Sequence, residues 1–153
     1  MKKVITVLFS ALVIGLVSCN KEDNSPSAAI NGPWELVKSV SSWTGTVVEG
    51  ENLTYTEKYQ FNPDGSFSKT TTRGDLTSVL PRQGLGKFTI VPNTEEDQLM
   101  NLNLVFETGT DIAGTCVANK ENLFISTNYQ LINSSWAPCD GPTLFYERKP
   151  ATR

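Results

Sequence analysis

The sequence predicts an all-β protein of eight or nine short antiparallel strands, arranged as a barrel or a sandwich. Apolar and polar residues alternate along 53–61, "LTYTEKYQF", with the period of a half-buried strand. The next residues, "FNPDGSF" at 61–67, have the Pro-Asp-Gly order of a tight hairpin. Turn residues recur roughly every ten positions without an amphipathic helix, as in barrels and sandwiches.

The first half of the domain is predicted to contain four strands. They are expected over 34–40, 44–48, 53–61 and 66–72. The turn between the last two follows from Pro63, which fixes its own φ, and from Gly65, which accepts a left-handed conformation. The segment 73–85 is polar and contains glycine and proline, so it is expected to be a loop.

The second half is predicted to contain the remaining strands. They are expected over 86–91, 99–106, 115–118, 122–127 and 143–149. Within 99–106, alternation places Met100, Leu102, Leu104 and Phe106 on one face. The acidic segment 92–98 has no EF-hand spacing and is interpreted as a solvated turn. A long loop is expected at 133–142.

The amino terminus has the layout of a secretory signal peptide. Lys2 and Lys3 precede the apolar run 4–17, which is shorter than the roughly twenty residues of a membrane span. Residues 16–19, Leu-Val-Ser-Cys, resemble a bacterial lipobox. The resemblance implies cleavage after residues 1–18 and attachment of diacylglyceryl and acyl chains, such as palmitate, to Cys19. The alternative is an ordinary secreted protein whose signal ends near a cysteine.

Residues 19–30 are expected to form the lipidated cysteine and a disordered tether, because they are polar and contain Pro26. Lys21, Glu22 and Asp23 resemble the signal that sends some Bacteroidetes lipoproteins to the outer face of the outer membrane. The resemblance implies a membrane anchor in the outer membrane, with the cell surface favoured over the periplasmic face. Residues 150–153 are a short tail.

The composition excludes several classes of function. The 153 residues include 13 Lys and Arg, 16 Asp and Glu, and no His. Without a basic stripe, no nucleic-acid partner is expected. Without histidine, Ser-His-Asp and Cys-His catalysis are excluded and the commonest zinc ligand is missing. No motif marks a catalytic carboxylate pair, so we expect no enzyme activity, no metal and no cofactor.

Two cysteines, Cys116 and Cys139, remain once Cys19 is assigned to lipidation. An even pair in an exported protein indicates a disulfide bond. The alternative is two free thiols that never meet.

Four short motifs resemble the small lipocalin-like lipoproteins (calycins) common in Bacteroidetes. They are Gly32-Pro33-Trp34, "FNPDGSF", Gly86-Lys87-Phe88 and Tyr146-Glu147-Arg148-Lys149. The resemblance covers 31–149 and implies an antiparallel up-and-down barrel of about eight strands. It also implies that Trp34 lies across the closed end with Arg148 packed over it, a cation–π contact of about 0.5–2 kcal/mol. The alternative is a plain core tryptophan and a surface arginine.

A barrel of eight strands is filled by side chains or holds one small ligand. The candidate lumen residues are Tyr55, Tyr59, Phe61, Phe67, Phe88, Met100, Leu102 and Leu104, and a packed core is the alternative for each. The expected function is a membrane-anchored binding protein of the cell envelope, for a small apolar molecule or a protein partner. The alternative is a packed scaffold that acts as a protease inhibitor, through the loops 73–85 or 132–142, or as an accessory subunit of a surface assembly.

Overall fold

The computed structural model describes residues 29–74, 81–93 and 95–149. The predicted signal peptide, Cys19, most of the tether, part of the 73–85 loop and the tail lie outside the described residues. The strands are β1 (Gly32–Val40), β2 (Val47–Glu49), β3 (Glu57–Phe61), β4 (Ser66–Thr71), β5 (Arg82–Val91), β6 (Gln98–Thr108), β7 (Lys120–Ser126), β8 (Leu131–Asn133) and β9 (Thr143–Arg148). Short 3₁₀ helices lie at Gly50–Asn52, Thr110–Ile112 and Ala137–Cys139.

The strands form one closed antiparallel barrel. From β3 onward, each strand pairs with the next in sequence, and β9 returns to pair with β1. This last pairing runs from Trp34 opposite Arg148 to Val40 opposite Thr143. The predicted all-β up-and-down barrel is confirmed, and the sandwich is not adopted. Eight strands close the barrel, because β2 and β3 share one edge of β1.

The hairpin from β3 to β4 forms as the sequence predicts. Phe61 and Phe67 are paired across it. Gly65 has φ 77°, and the Asp64 carboxylate accepts hydrogen bonds from the Ser66 amide at 3.0 Å and hydroxyl at 2.6 Å. These local bonds fix the register of the hairpin, which places the inward side chains of both strands on the core face.

An aromatic cluster occupies much of the interior. Its buried rings belong to Tyr59, Phe61, Phe67, Phe88, Phe106 and Tyr146. Phe67 and Phe106 meet edge to face with their centroids 4.9 Å apart, a preferred aromatic geometry. Two inward glycines of β5 leave room for them, because a Cβ on Gly84 would lie 3.0 Å from the Phe106 ring and one on Gly86 would lie 2.7 Å from that of Phe67.

Several predicted elements differ from those of the structure. The loop 73–85 ends earlier than expected, because β5 already pairs with β4 from Arg82 onward. The alternation of β5 was not visible in the sequence, because glycines occupy its inward positions 84 and 86. The segment 115–118 is not a strand, and β7 pairs instead with β8. The sequence did not reveal β8, because its three residues are all buried and show no alternation.

One end of the barrel is closed by the residues that precede β1. Ile30 is fully buried, and its carbonyl oxygen accepts a hydrogen bond of 2.8 Å from Trp34 Nε1. The Arg148 guanidinium donates to the carbonyl oxygens of Ala29 and Asn31. Ala29 and Ile30 were expected at the end of the tether, but the structure places them within the fold.

Candidate functional site

The structure places the predicted lumen residues in two environments. Seven are buried and pack against one another in the core: Tyr59, Phe61, Phe67, Phe88, Met100, Leu102 and Leu104. Tyr55 is half-buried and precedes β3. At these seven positions the barrel interior is therefore occupied by protein side chains.

Trp34 and Arg148 are direct cross-strand partners at the closed end. Their connection runs through the segment 29–31, since each donates hydrogen bonds to carbonyl oxygens there. The guanidinium-over-indole contact is not among the cation–π contacts of the described residues, which involve Lys38, Lys69 and Arg73. Trp34 and Arg148 therefore hold residues 29–31 across this end of the barrel through hydrogen bonds to their backbone oxygens.

The disulfide between Cys116 and Cys139 is confirmed, with the two Cα atoms 5.8 Å apart. It joins the segment after the second 3₁₀ helix to the third one, at the barrel end opposite Trp34. There, the guanidinium carbon of Arg73 lies 4.4 Å from the Trp136 ring. The backbone amide of Cys116 also donates to Ser135 O at 3.2 Å. The predicted loop 132–142 is thus held against the barrel end.

Three charged side chains lie inside the barrel near this second end. Glu57, Lys69 and Glu121 occupy inward positions of β3, β4 and β7 and are 2%, 0% and 0% exposed. Lys69 Nζ lies 2.7 Å from Glu121 Oε1 and 3.0 Å from Glu57 Oε1. We call these three residues the charged cluster. One ammonium bridges two carboxylates in a site removed from water.

Neighbouring polar groups complete the hydrogen bonding of Glu121. Tyr59 donates its hydroxyl to Glu121 Oε2 at 2.6 Å, and the Gly114 amide donates to Oε1 at 2.6 Å. Asn133 Nδ2 in turn donates to the Tyr59 hydroxyl at 3.3 Å. Both carboxylate oxygens of Glu121 are therefore partnered, which is the condition under which a buried charge is tolerated.

Glu57 has a different environment at each oxygen. Its Oε1 accepts the Tyr146 hydroxyl at 2.6 Å and the Lys69 ammonium. Its Oε2 is buried and has no hydrogen-bond partner among the described residues. Arg73 Nη2 lies 3.9 Å from it, beyond hydrogen-bond range. One buried carboxylate oxygen of the charged cluster therefore has no hydrogen bond within the described residues.

The protonation states follow from burial and from these partners. Burial alone would raise the pKa of Glu57, but the charges of Lys69 and Arg73, together with hydrogen bonds from Tyr146 and Lys69, hold it below 4.5. Burial, then the nearby carboxylates, raise the pKa values of Tyr59 and Tyr146 well above 10. At neutral pH Glu57 is charged and both tyrosines are donors.

The charged cluster was missed by the sequence analysis, although a signal was present. Glu57 falls on the same alternating face as Tyr55 and Tyr59. In the same way, Lys69 shares the inward face of its strand with Phe67, and Glu121 shares that of its strand with Leu123. A charged residue at an inward position of an otherwise apolar alternation was the available indication.

A cleft opens through the barrel wall beside Glu57. Pairing between β1 and β3 ends at Glu35, and pairing between β1 and β2 begins only at Lys38. Leu36 and Val37 therefore have no partner on this edge of the described sheet. The predicted strand 53–61 begins only at Glu57, so residues 53–56 do not close the gap, and this boundary was also wrong.

The cleft has a volume of about 430 Å³. Its lining residues are Glu35, Leu36, Gly50, Glu51, Leu53, Tyr55, Thr56, Glu57, Lys58, Thr70 and Pro81. Leu36, Leu53 and Tyr55 supply apolar surface. The Tyr55 hydroxyl, like Glu57 Oε2, is buried without a hydrogen-bond partner in the described part of the chain. An apolar lining with a few unsatisfied polar groups is typical of a small-molecule site.

The described residues contain neither a candidate metal site nor a membrane-spanning helix. No group of three or more acidic, cysteine or histidine side chains is placed to hold a metal ion. Within the same residues, no helix has the length and apolar character needed to cross a membrane.

The eight-stranded antiparallel barrel is consistent with a lipocalin-like fold. No family model matches the chain, and no curated protein or solved structure matches it.

Proposed function

We propose that this chain is a lipocalin-like, lipid-anchored binding protein of the bacterial cell envelope, which takes a small ligand in the cleft between β1 and β3. The observation that carries the proposal is the cleft itself, whose lining combines the apolar Leu36, Leu53 and Tyr55 with the buried Glu57, one oxygen of which has no hydrogen-bond partner among the described residues. Its volume of about 430 Å³ falls in the usual range for small ligands, about 300–1,000 Å³.

The cleft supports this function better than the barrel interior does. Aromatic and aliphatic side chains fill the space around Phe61, Phe67 and Leu104. A ligand there would have to displace packed rings, at a cost similar to that of repacking a core. The cleft is lined by other residues, so a ligand there leaves the rings of Phe61 and Phe67 in place.

The anchor part of the proposal rests on the lipobox that ends at Cys19. Several acyl chains on one residue give stable attachment, since each buried methylene contributes about 0.8 kcal/mol. The resemblance of Lys21, Glu22 and Asp23 to an export signal supports the outer membrane as the proposed location, with the cell surface favoured over the periplasmic face. Labelling cells with an alkyne analogue of palmitate tests the anchor, and Cys19→Ala should abolish the label. Loss of signal after protease treatment of intact cells tests surface exposure.

Binding is proposed rather than catalysis. The carboxylate of Glu121 is engaged at both oxygens, and Glu57 is engaged at one. These carboxylates neutralise Lys69 and position tyrosine hydroxyls, and no chain motif marks either as an acid or a base.

Native mass spectrometry tests the binding function. The lipid-free domain, residues 20–153, contains all described strands and both disulfide cysteines. Produced in its own cell envelope, it is expected to retain a reproducible extra mass that denaturation removes. Leu53→Trp should fill the cleft and abolish that mass, while Leu85→Trp, at an exposed position on β5, should keep it. A bare wild-type monomer would contradict the proposal.

A second candidate is an accessory subunit that acts through protein contacts. Trp43 is 75% exposed in the turn between β1 and β2, and exposed tryptophans are enriched at protein interfaces. The inhibitor alternative has less support from the segment 132–142, which the disulfide and the contact between Trp136 and Arg73 hold against the barrel.

A further inference from the structure

We infer that the ligand of the cleft carries a protonated amine, which pairs with Glu57 Oε2 while the apolar part of the ligand packs on Leu36, Leu53 and Tyr55. This inference rests on the proposed function, since it specifies the ligand of the same cleft. Three independent features of the cleft support it: its charge, its unpartnered atoms and its neighbours.

The charge of the lining favours a cation. The lining contains three acidic residues, Glu35, Glu51 and Glu57, and one basic residue, Lys58. Lys69 Nζ and Arg73 Nη2 also lie 3.0 Å and 3.9 Å from the oxygens of the Glu57 carboxylate. The Lys58 ammonium lies 3.7 Å from Glu35, and both side chains are exposed. A concave site with one dominant sign of charge concentrates ligands of the opposite sign.

The unpartnered atoms favour a group with several donors. Glu57 Oε2 needs a donor, and the Tyr55 hydroxyl oxygen is also without a partner. Leaving such a group buried and unsatisfied costs about 1–3 kcal/mol, and more when it is charged. An ammonium offers three donors, enough for Glu57 Oε2 and for a further acceptor of the lining. A hydroxyl offers one donor, and a carboxylate offers none and meets like charge.

Arg73 does not take this role in the protein itself. Its Nη2 lies 3.9 Å from Glu57 Oε2 and donates to Ile112 O at 2.9 Å. The guanidinium also packs on the Trp136 ring at 4.4 Å. Arg73 contributes to holding Glu57 ionised, but the open oxygen still lacks a hydrogen bond.

Isothermal titration calorimetry with three matched probes tests the inference. The probes are 2-phenylethylammonium, 2-phenylethanol and 3-phenylpropanoate, which share one ring and differ in the polar group. They are titrated at pH 7 into the lipid-free domain, residues 20–153. The amine is expected to bind at least about tenfold more tightly than the alcohol, equivalent to 1.4 kcal/mol, and the carboxylate to bind weakest.

Glu51→Gln and Glu107→Gln are the matched variants. Glu51 lines the cleft, whereas Glu107 is exposed on β6 and does not line it. We expect Glu51→Gln to weaken binding of the amine about twofold or more, with a smaller effect at high salt. The affinity for the alcohol should not change. Glu107→Gln should change neither. Glu57→Gln should reduce the preference for the amine over the alcohol, with folding checked by circular dichroism.

Each outcome is decisive. If the alcohol or the carboxylate binds in the cleft as tightly as the amine or more tightly, the inference of an amine ligand is wrong. The proposed binding function would remain in place. Absence of binding by all three probes would overturn the amine inference, and the native mass spectrum separately decides the proposed function. If Glu57→Gln does not fold, the comparison of Glu51→Gln with Glu107→Gln still decides.

Discussion

Lys69 Nζ lies 2.7 Å from Glu121 Oε1, and neither side chain is accessible to solvent. An ion pair in such a place is retained only when every charge is matched, because desolvation costs several kcal/mol per ion. Here the two carboxylates of Glu57 and Glu121 share Lys69, and Arg73 lies 3.9 Å from Glu57 as a second cation. The hydroxyls of Tyr59 and Tyr146 donate to the same carboxylates. The charged cluster is therefore a sensitive point of the fold.

Removing the central ammonium should destabilise the protein strongly. Lys69→Met leaves two buried carboxylates without their shared cation, so we expect a loss of about 3–5 kcal/mol in the free energy of unfolding, measured with urea. Lys58→Met is the control, because its pair with Glu35 is exposed and should contribute less than about 1 kcal/mol. Similar losses for both variants would contradict this account of the charged cluster.

Removing one tyrosine hydroxyl should have a smaller effect. Tyr146→Phe deletes the donor to Glu57 Oε1 at 2.6 Å. Hydrogen bonds to charged groups contribute about 1.5–3 kcal/mol, and we expect a urea-measured loss in that range. Tyr129→Phe is the control, because Tyr129 is 74% exposed, and the stability of this variant should match that of the wild type. Equal stability of both variants would count against the bond.

Acid should destabilise the fold partly through Glu57. Its pKa in the folded chain is held below 4.5 by Lys69 and Arg73, against the effect of burial. The unfolded chain therefore binds a proton at higher pH than the folded one, so this stabilisation is present above about pH 4.5 and is lost as the pH falls further.

Urea unfolding between pH 7 and pH 3 measures this dependence. Other carboxylates also titrate in that range, so the comparison is with Glu57→Gln. The variant should lose less stability than the wild type over the same interval. An identical slope in both proteins would show that Glu57 does not contribute to acid unfolding.

Alkali should unfold the protein as its buried tyrosines ionise. Burial and the carboxylates raise the pKa values of Tyr59 and Tyr146 well above 10. The unfolded chain releases these protons near pH 10, while the folded chain retains them, so stability falls as the pH rises above about 10. Tyrosinate absorbance at 295 nm from these residues should rise together with the loss of near-ultraviolet circular dichroism. Complete ionisation of all tyrosines in a still folded protein would refute this.

The disulfide should stabilise the end of the barrel that it closes. It spans a sequence separation of 23 residues, for which loop-closure entropy predicts about 3 kcal/mol. Cys116→Ser combined with Cys139→Ser should lower the unfolding free energy by about that amount, with reduced wild-type protein as the matching control. Intact mass must increase by two hydrogen atoms on reduction. A reduced protein as stable as the oxidised one would show that the bond is dispensable.

Much of the fold could be predicted because its signals are local. The hairpin through Gly65 and the alternation ending at Phe61 each depend on a few adjacent residues. Turn spacing and the resemblance then led to the barrel. β8 gave no such signal, because its three residues, Leu131–Asn133, are all buried, and a strand this short has no visible period.

The candidate site was less predictable because it depends on closure of the sheet. Glu57 and Lys69 lie 12 positions apart in sequence, and Glu121 lies far beyond both. Only the barrel brings their inward positions together. The cleft depends on where β1 changes partner, between Glu35 and Lys38, and such non-local register is not set by any short segment.

A crystal structure of the mature chain, purified from its own cell envelope, tests the central claim most directly. We predict non-protein density in the cleft, over Leu36 and Leu53, with a donor nitrogen within hydrogen-bond distance of Glu57 Oε2. Ligand density among the rings of Phe61 and Phe67 inside the barrel, with the cleft holding only solvent, would contradict the account.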